Sequence, residues 1–447
     1  MGDHRGARIG PLFSVIAPRT RGDAVDRCAV ERTIEAVWHI ESAKIIAKLA
    51  RMLRDVGRAE EIAQDAWVAA LEQWSEAGVP ENPGAWLMTT AKNRAIDQLR
   101  RHQLAERKHV LMTHDTDNPG DGQPGGDDAE SIADDLLRLI FAACHPVIPL
   151  DGRIALTLRL VAGLSVAEIA RAFVASEPTI QQRIVRAKRT LSDARVPFEV
   201  LDAADRGRRL ESVLEVIYLI FNEGYAATSG EDWMRPALCE EALRVGRILA
   251  EIAPNAAEVH GLVALMELQA SRTAARTSAS GEPVLLLHQD RASWDRLLIH
   301  RGLAALASAE SLDGPPGPYT LQAAIAACHA RALRPEDTDW PRIATLYDAL
   351  LAAQPSPIVA LNRAVAISMA SGPAAALEIV DGLREDPRLR GYHLVPSVRG
   401  DLLDRLGRFA EARAEFSRAA SLARNAQERR LLLRRAADHT VETPAEP

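Results

Sequence analysis

The chain has 447 residues, 47% of them hydrophobic, 26% charged and only 4% aromatic. That length suits about three domains, and the composition excludes a disordered or collagen-like chain and favours helix over sheet. A net charge of −7 excludes a uniformly basic nucleic-acid coat, so any contact with nucleic acid has to rest on local patches.

Residues 1–30 read as a flexible leader. Their apolar run, 11–17, is bounded by prolines and too short for a signal peptide. No apolar stretch reaches the roughly 18 residues of a membrane span, so a cytoplasmic protein without membrane contact is expected. Cys28, Cys144, Cys239 and Cys328 are far apart and form no Cys-x-x-Cys pair. Neither a disulfide framework nor a metal site follows, and no cofactor is implied. Buried small side chains are the expectation.

The first helical unit covers 31–108. Within 58–74, Ile62, Ala66, Ala69 and Ala70 share one face, and Glu61, Asp65, Val68 and Glu72 form a second stripe. An acidic stripe is a solvated face or a docking face for a partner helix. A loop at 76–84 is stiffened by Pro80 and Pro83. The helix at 86–103 then buries Leu87, Ala91, Ala95 and Leu99 and turns out Thr90, Asn93, Asp97, Arg100 and Arg101. Late basic residues complement the helix dipole. Clustered arginines beside an Asn also suit phosphates and a base edge.

Residues 109–130 are an acidic, Gly/Pro-rich linker that cannot form a packed core. The second unit covers 131–195. Ser165 with Glu168 is a capping box, and Ile169, Ala170 and Phe173 give that helix its buried side. Ser176 and Pro178 start a second helix. Ile180, Ile184, Ala187 and Leu191 line one side of it, and Thr179, Gln182, Arg183 and Arg186 the other. Two short helices, the second basic, read as a wingless helix-turn-helix. Gln181, Gln182 and Arg183 lie where base edges are met, and Arg186, Lys188 and Arg189 suit phosphates.

Residues 196–438 form a helical extension, and 439–447 a tail. In the extension Gly407 marks a turn, and Phe409, Ala412, Phe416 and Ala419 follow at a large–small spacing that resembles a tetratricopeptide repeat. A looser pair is centred on Gly372, 35 residues upstream, near that repeat's period of about 34. Fold class is therefore all-α.

The order of parts resembles the sigma-70 superfamily of transcription factors. Ala59-Glu-Glu-Ile-Ala-Gln-Asp-Ala is similar to the polymerase-binding helix of sigma region two. Pro83-Gly-Ala-Trp-Leu and Ala91-Lys-Asn-Arg-Ala-Ile-Asp-Gln-Leu-Arg-Arg resemble the segment that melts and reads the minus-ten element. The helix-turn-helix resembles region four, which reads the minus-thirty-five element. Two such domains with no bulky middle region are the extracytoplasmic-function arrangement. The runs from Val213 to Tyr225, Asp290 to Asp295 and Pro318 to Ala326 resemble the extension of one subgroup.

The resemblance implies core RNA polymerase and promoter DNA as partners, and a further protein or ligand for the extension. Glu61, Gln64, Asp65 and Glu72 would face polymerase, with Gln64 and Asp65 on its clamp helices. Asn93, Asp97, Arg100 and Arg101 would lie on the minus-ten side. Trp86 matches the family's Trp-Leu pair or serves the core. Asn222, Glu223 and Tyr225 would hold the junction between extension and sigma domains. A stand-alone helix-turn-helix regulator with a C-terminal sensor, a helical scaffold, and a hydrolase with Glu223 as base are the alternatives. No nucleophile–His–acid grouping supports the last, and no catalytic residue is assigned.

Overall fold

Several helices of this chain begin where a side chain can satisfy the unpaired amides of a first turn. Asp55 accepts from the Arg58 amide, Ser176 from that of Thr179, and Asp295 from those of Leu297 and Leu298. The computed structural model describes residues 27–110, 129–173, 175–194, 196, 203–227, 234–278 and 282–438. The expected leader up to residue 26, the linker at 111–128 and the tail at 439–447 lie outside those residues.

Seven helices come first: α1 (Arg27–Leu53), α2 (Val56–Ala77), α3 (Pro83–Val110), α4 (Ala129–Ala143), α5 (Leu150–Leu160), α6 (Val166–Ala172) and α7 (Glu177–Asp193). The extension follows with α8 (Ala203–Tyr225), α9 (Pro236–Ile252), α10 (Ala257–Ala270), α11 (Arg296–Ser311), α12 (Pro318–Arg331) and α13 (Trp340–Ala353). It continues with α14 (Pro357–Ser371), α15 (Pro373–Leu383), α16 (Leu394–Arg405), α17 (Phe409–Leu422) and α18 (Ala426–Asp438). Among the described residues the fold is all-helical, with one isolated antiparallel bridge between Thr277 and Pro283. None of these helices is long and apolar enough to cross a membrane.

The expected loop at 76–84 is shorter than its prolines suggested. Pro83 starts α3, where its missing N–H costs nothing, and the Asn82 side chain accepts from the Ala85 amide at 3.0 Å. Gly78, at φ +85°, closes α2 in a conformation that favours glycine.

One buried cluster runs through both sigma-like units and into the extension. It includes Ile34 of α1, Ala66 of α2, Leu139 of α4, Ile184 of α7, Ile217 of α8 and Leu249 of α9. Helix α4 lies against α1, where buried Asp135 faces Arg51 at 3.5 Å. Burial pushes the Asp135 carboxyl up, against the pull of Arg51, Lys48 and Arg138. The rest of the extension stacks consecutive helices over three further clusters.

Gly372 (φ +100°) and Gly407 (φ +72°) turn the chain between α14 and α15 and between α16 and α17. Ala412, Phe416 and Ala419 are fully buried. A Cβ on Gly400 would stand 2.8 Å from the Phe416 ring, so glycine is what lets α16 and α17 close on it. Phe409 departs from expectation: it is 47% exposed, because it is the first residue of α17 and lies before the groove begins.

Candidate functional site

Helix α2 buries Ala59, Ile62, Ala63, Ala66, Ala69 and Ala70. The opposite stripe, Glu61, Asp65, Val68 and Glu72, is exposed. Asp65 sits 3.8 Å from Arg94 of α3, with both side chains well in solvent. Gln64 turns the other way: it is half-buried, and its amide donates to Glu60 at 2.5 Å. Trp86 belongs to the support of this unit, packing edge-on against buried Trp74 with ring centres 5.3 Å apart.

Helix α3 buries Leu87, Ala91 and Ala95; Leu99, expected on the same side, and Thr90, expected outside, are both half-buried. Asn93, Asp97, Arg100 and Arg101 are exposed. They form one polar face that also carries Arg94 at its edge with α2.

The helix-turn-helix is built by α6 and α7. Both halves of the capping box are present at Ser165 and Glu168. Burial raises the Glu168 carboxyl, but the Ser165 amide and hydroxyl outweigh it and hold the group below its ordinary range. Ile180, Ile184, Ala187 and Leu191 are the buried side of α7. At about 100° per residue, Gln182, Val185 and Arg189 point directly away from that side, with Gln181 and Arg186 beside them. All five are exposed, as is Thr179 at the start, whose hydroxyl lies 2.7 Å from that of Ser176.

Two of the expected contact residues flank the buried side instead. Arg183 leans to Asp151 of α5 at 3.2 Å. Lys188 leans the other way and pairs with Glu60 of α2. Glu60 also accepts from Arg159 of α5 at 2.6 Å, and its side chain is only 4% exposed. A buried carboxylate from the first unit is thus held by two cations from the second. Sequence reading did not single out Glu60 or Arg159. The available signal was a carboxylate on the side of α2 that carries Gln64 and Trp67.

The expected junction residues bind within the extension. Phe221-Asn-Glu-Gly-Tyr is the last turn of α8, not a separate loop. Glu223 pairs with Arg235 just before α9, both nearly buried, which occupies the carboxylate that the hydrolase alternative needed. The Tyr225 hydroxyl accepts from Arg272, and its ring stacks under Arg276 at 3.5 Å. Asn222 is exposed.

Contact between the extension and the second unit is made elsewhere, at α5 and the ends of α4 and α5. Arg153 of α5 donates to Ser212 at 2.6 Å and pairs with Glu215 at 3.0 Å, both on α8. Ser212 donates to the Cys144 carbonyl at 2.7 Å. Arg244 of α9 donates to the carbonyls of Ala162 at 2.7 Å and Val161 at 3.2 Å, at the end of α5. Cys144, Cys239 and Cys328 are buried thiols, and burial pushes the first two up to about 12. Among the described residues no group of three or more His, Cys, Asp or Glu is placed to hold a metal ion.

Known proteins share these parts. Residues 41–105 match the sigma-70 region 2 family, 138–191 the sigma-70 region 4 family, and 209–310 a family of unknown function, DUF6596. The chain is 30% identical over 174 residues to the ECF RNA polymerase sigma factor SigK of Mycolicibacterium vanbaalenii, covering 36% of this chain and 83% of that protein. It is 46% identical over 399 residues to a Rhizobium meliloti protein named "Uncharacterized protein R00370", covering 89% and 93% of the two. The chain belongs to the extracytoplasmic-function sigma factors of the sigma-70 superfamily and carries a C-terminal helical extension. Such factors are non-enzymatic transcription initiation factors.

Proposed function

We propose that this sigma factor binds core RNA polymerase through the exposed stripe of α2 and directs it to promoters read by α3 and α7. The observation that carries the reading is α7, a capped helix with one side buried and Gln181, Gln182, Arg186 and Arg189 turned outward. Glutamines offer paired hydrogen bonds to a base edge, and the arginines bind phosphate. The α3 face, with Asn93, Asp97, Arg100 and Arg101, takes the minus-ten side. Polymerase supplies the catalysis; the sigma factor favours melted over closed DNA by binding it more tightly. In domain terms, 31–108 acts as region two, 131–195 as region four and 196–438 as an extension that sets their placement.

The extension's part follows from distance. The two promoter elements are about 25 base pairs apart, roughly 85 Å along the duplex. Here Lys188 of α7 touches Glu60 of α2. With the two units in contact, we read this arrangement as a closed state that opens on the promoter. Helices α8 and α9 hold the second unit through Ser212, Glu215 and Arg244, so the extension moves with that unit when the state opens.

Run-off transcription with purified core polymerase over a promoter library tests the reading. Asp65→Arg is expected to weaken core binding about tenfold or more, because it reverses a charge on the docking stripe. The exposed pair with Arg94 is worth under about 1 kcal/mol, so the fold should survive. Pull-down of core at full strength by the folded variant would refute the assignment of α2.

On α7, Gln182→Ala should relax upstream specificity by about 1–3 kcal/mol. Arg186→Ala should weaken binding evenly across sequences and lower the salt slope by about 1. Arg183→Ala should change promoter ranking less than Gln182→Ala does, since Arg183 is turned to Asp151. Equal rankings for all three variants and wild type would remove α7 from recognition.

A further inference from the structure

At the centre of the outward side of α7 stands an aliphatic residue. Val185 is 56% exposed, among Gln181, Gln182, Arg186 and Arg189. Single exposed aliphatic side chains are common on protein surfaces, so exposure alone says nothing. Position says more. Val185 lies one turn beyond Gln181 and one turn before Arg189, away from the buried side that anchors the helix. Whatever groove receives the two glutamines also receives Val185.

The chemistry of that groove is restrictive. On the base edges of a major groove the apolar group is the C5-methyl of thymine; the rest are hydrogen-bond donors and acceptors. A valine between polar reading residues cannot satisfy a donor or acceptor, and facing one would leave it desolvated without a partner. Facing a methyl, it removes apolar surface from water on both partners. Its branched side chain is held in a strongly preferred rotamer by the helix, so little freedom is lost on contact.

We propose that Val185 is a specificity-determining residue that packs against a thymine methyl in the upstream promoter element and sets a preference for thymine at one position. The proposal rests on reading α7 as the recognition helix. Gln181 and Gln182 supply the polar part of the same readout, and Arg186 and Arg189 hold the backbone in register.

The test uses the full-length protein with core polymerase. A promoter is first selected from a library randomised upstream, and each thymine of the upstream element is then replaced in turn by deoxyuridine, which lacks only the methyl. Wild type is expected to lose about fourfold in affinity at one position, the worth of one methyl-sized group removed from water. Val185→Ser should bind thymine and deoxyuridine there equally and Val185→Ala should show a smaller preference than wild type, both keeping helix content and the wild-type salt slope. Wild type indifferent to deoxyuridine at every position overturns the proposal. So does a Val185→Ala protein that keeps the same fourfold preference. A holoenzyme that selects no promoter sequence at all overturns the sigma reading, and this inference with it.

Discussion

Glu60→Ala is expected to destabilise the protein by about 2–4 kcal/mol and to loosen the seam between the two sigma units. The carboxylate is 4% exposed, and its partners Arg159 and Lys188 are 18% and 23% exposed. Removing one member of a buried pair leaves the remaining charge desolvated, which costs about 3–5 kcal/mol when burial is complete. Arg159 and Lys188 reach some water, and Arg159 keeps its bond to the Leu164 carbonyl at 3.0 Å, so the lower figure applies. Gln64 also loses its acceptor. The consequence is local to the seam between α2, α5 and α7. Denaturant midpoint measures the stability, and small-angle scattering measures the separation. Adding Lys188→Met to Glu60→Ala should recover part of the loss, because one orphaned cation disappears with it. An unchanged midpoint and an unchanged radius of gyration for Glu60→Ala would show that the seam contributes nothing.

The second large effect is expected from ending the chain after Ala194. Without α8 and α9, helices α4 and α5 lose part of the apolar core that they share with them. On the other side, Val213, Val216, Ile217 and Ile220 are each at most 1% exposed, so the apolar contact is dense. Each such side chain is worth about 1.5–3 kcal/mol. A handful of them matches the whole stability of a typical domain, about 5–15 kcal/mol. The carbonyls of Cys144, Val161 and Ala162 lose their donors at the same time. The truncated chain should show no cooperative unfolding transition and no promoter-specific transcription. Residues 196–447 supplied as a separate polypeptide should restore both in part, since the contacts are non-covalent. Folding and transcription by the truncated chain at full strength would make the extension an independent unit that recruits another protein.

What the sequence by itself determined is what depends on neighbours along the chain. Helix starts at Ser165 and Ser176, the buried sides of α2, α3 and α7, and the turns at Gly372 and Gly407 all stand where local patterns put them. Capping, apolar periodicity and glycine's access to positive φ act over a few residues, so they are legible without a fold. The tertiary structure decided which polar side chains have a partner. On α7, helical periodicity puts Arg183 and Lys188 on the flanks of the buried side and Arg186 and Arg189 farther out, but it does not say what the flanks meet. The fold decides that: α5 brings Asp151 to one flank of α7 and α2 brings Glu60 to the other. Glu60 meets Arg159 across 99 residues of chain. Tyr225 is likewise expected at the junction between extension and sigma domains, yet Arg272 and Arg276 take it into the extension. A buried charge must find an opposite charge or a hydrogen bond, and which one it finds depends on which helices the shared core has brought together.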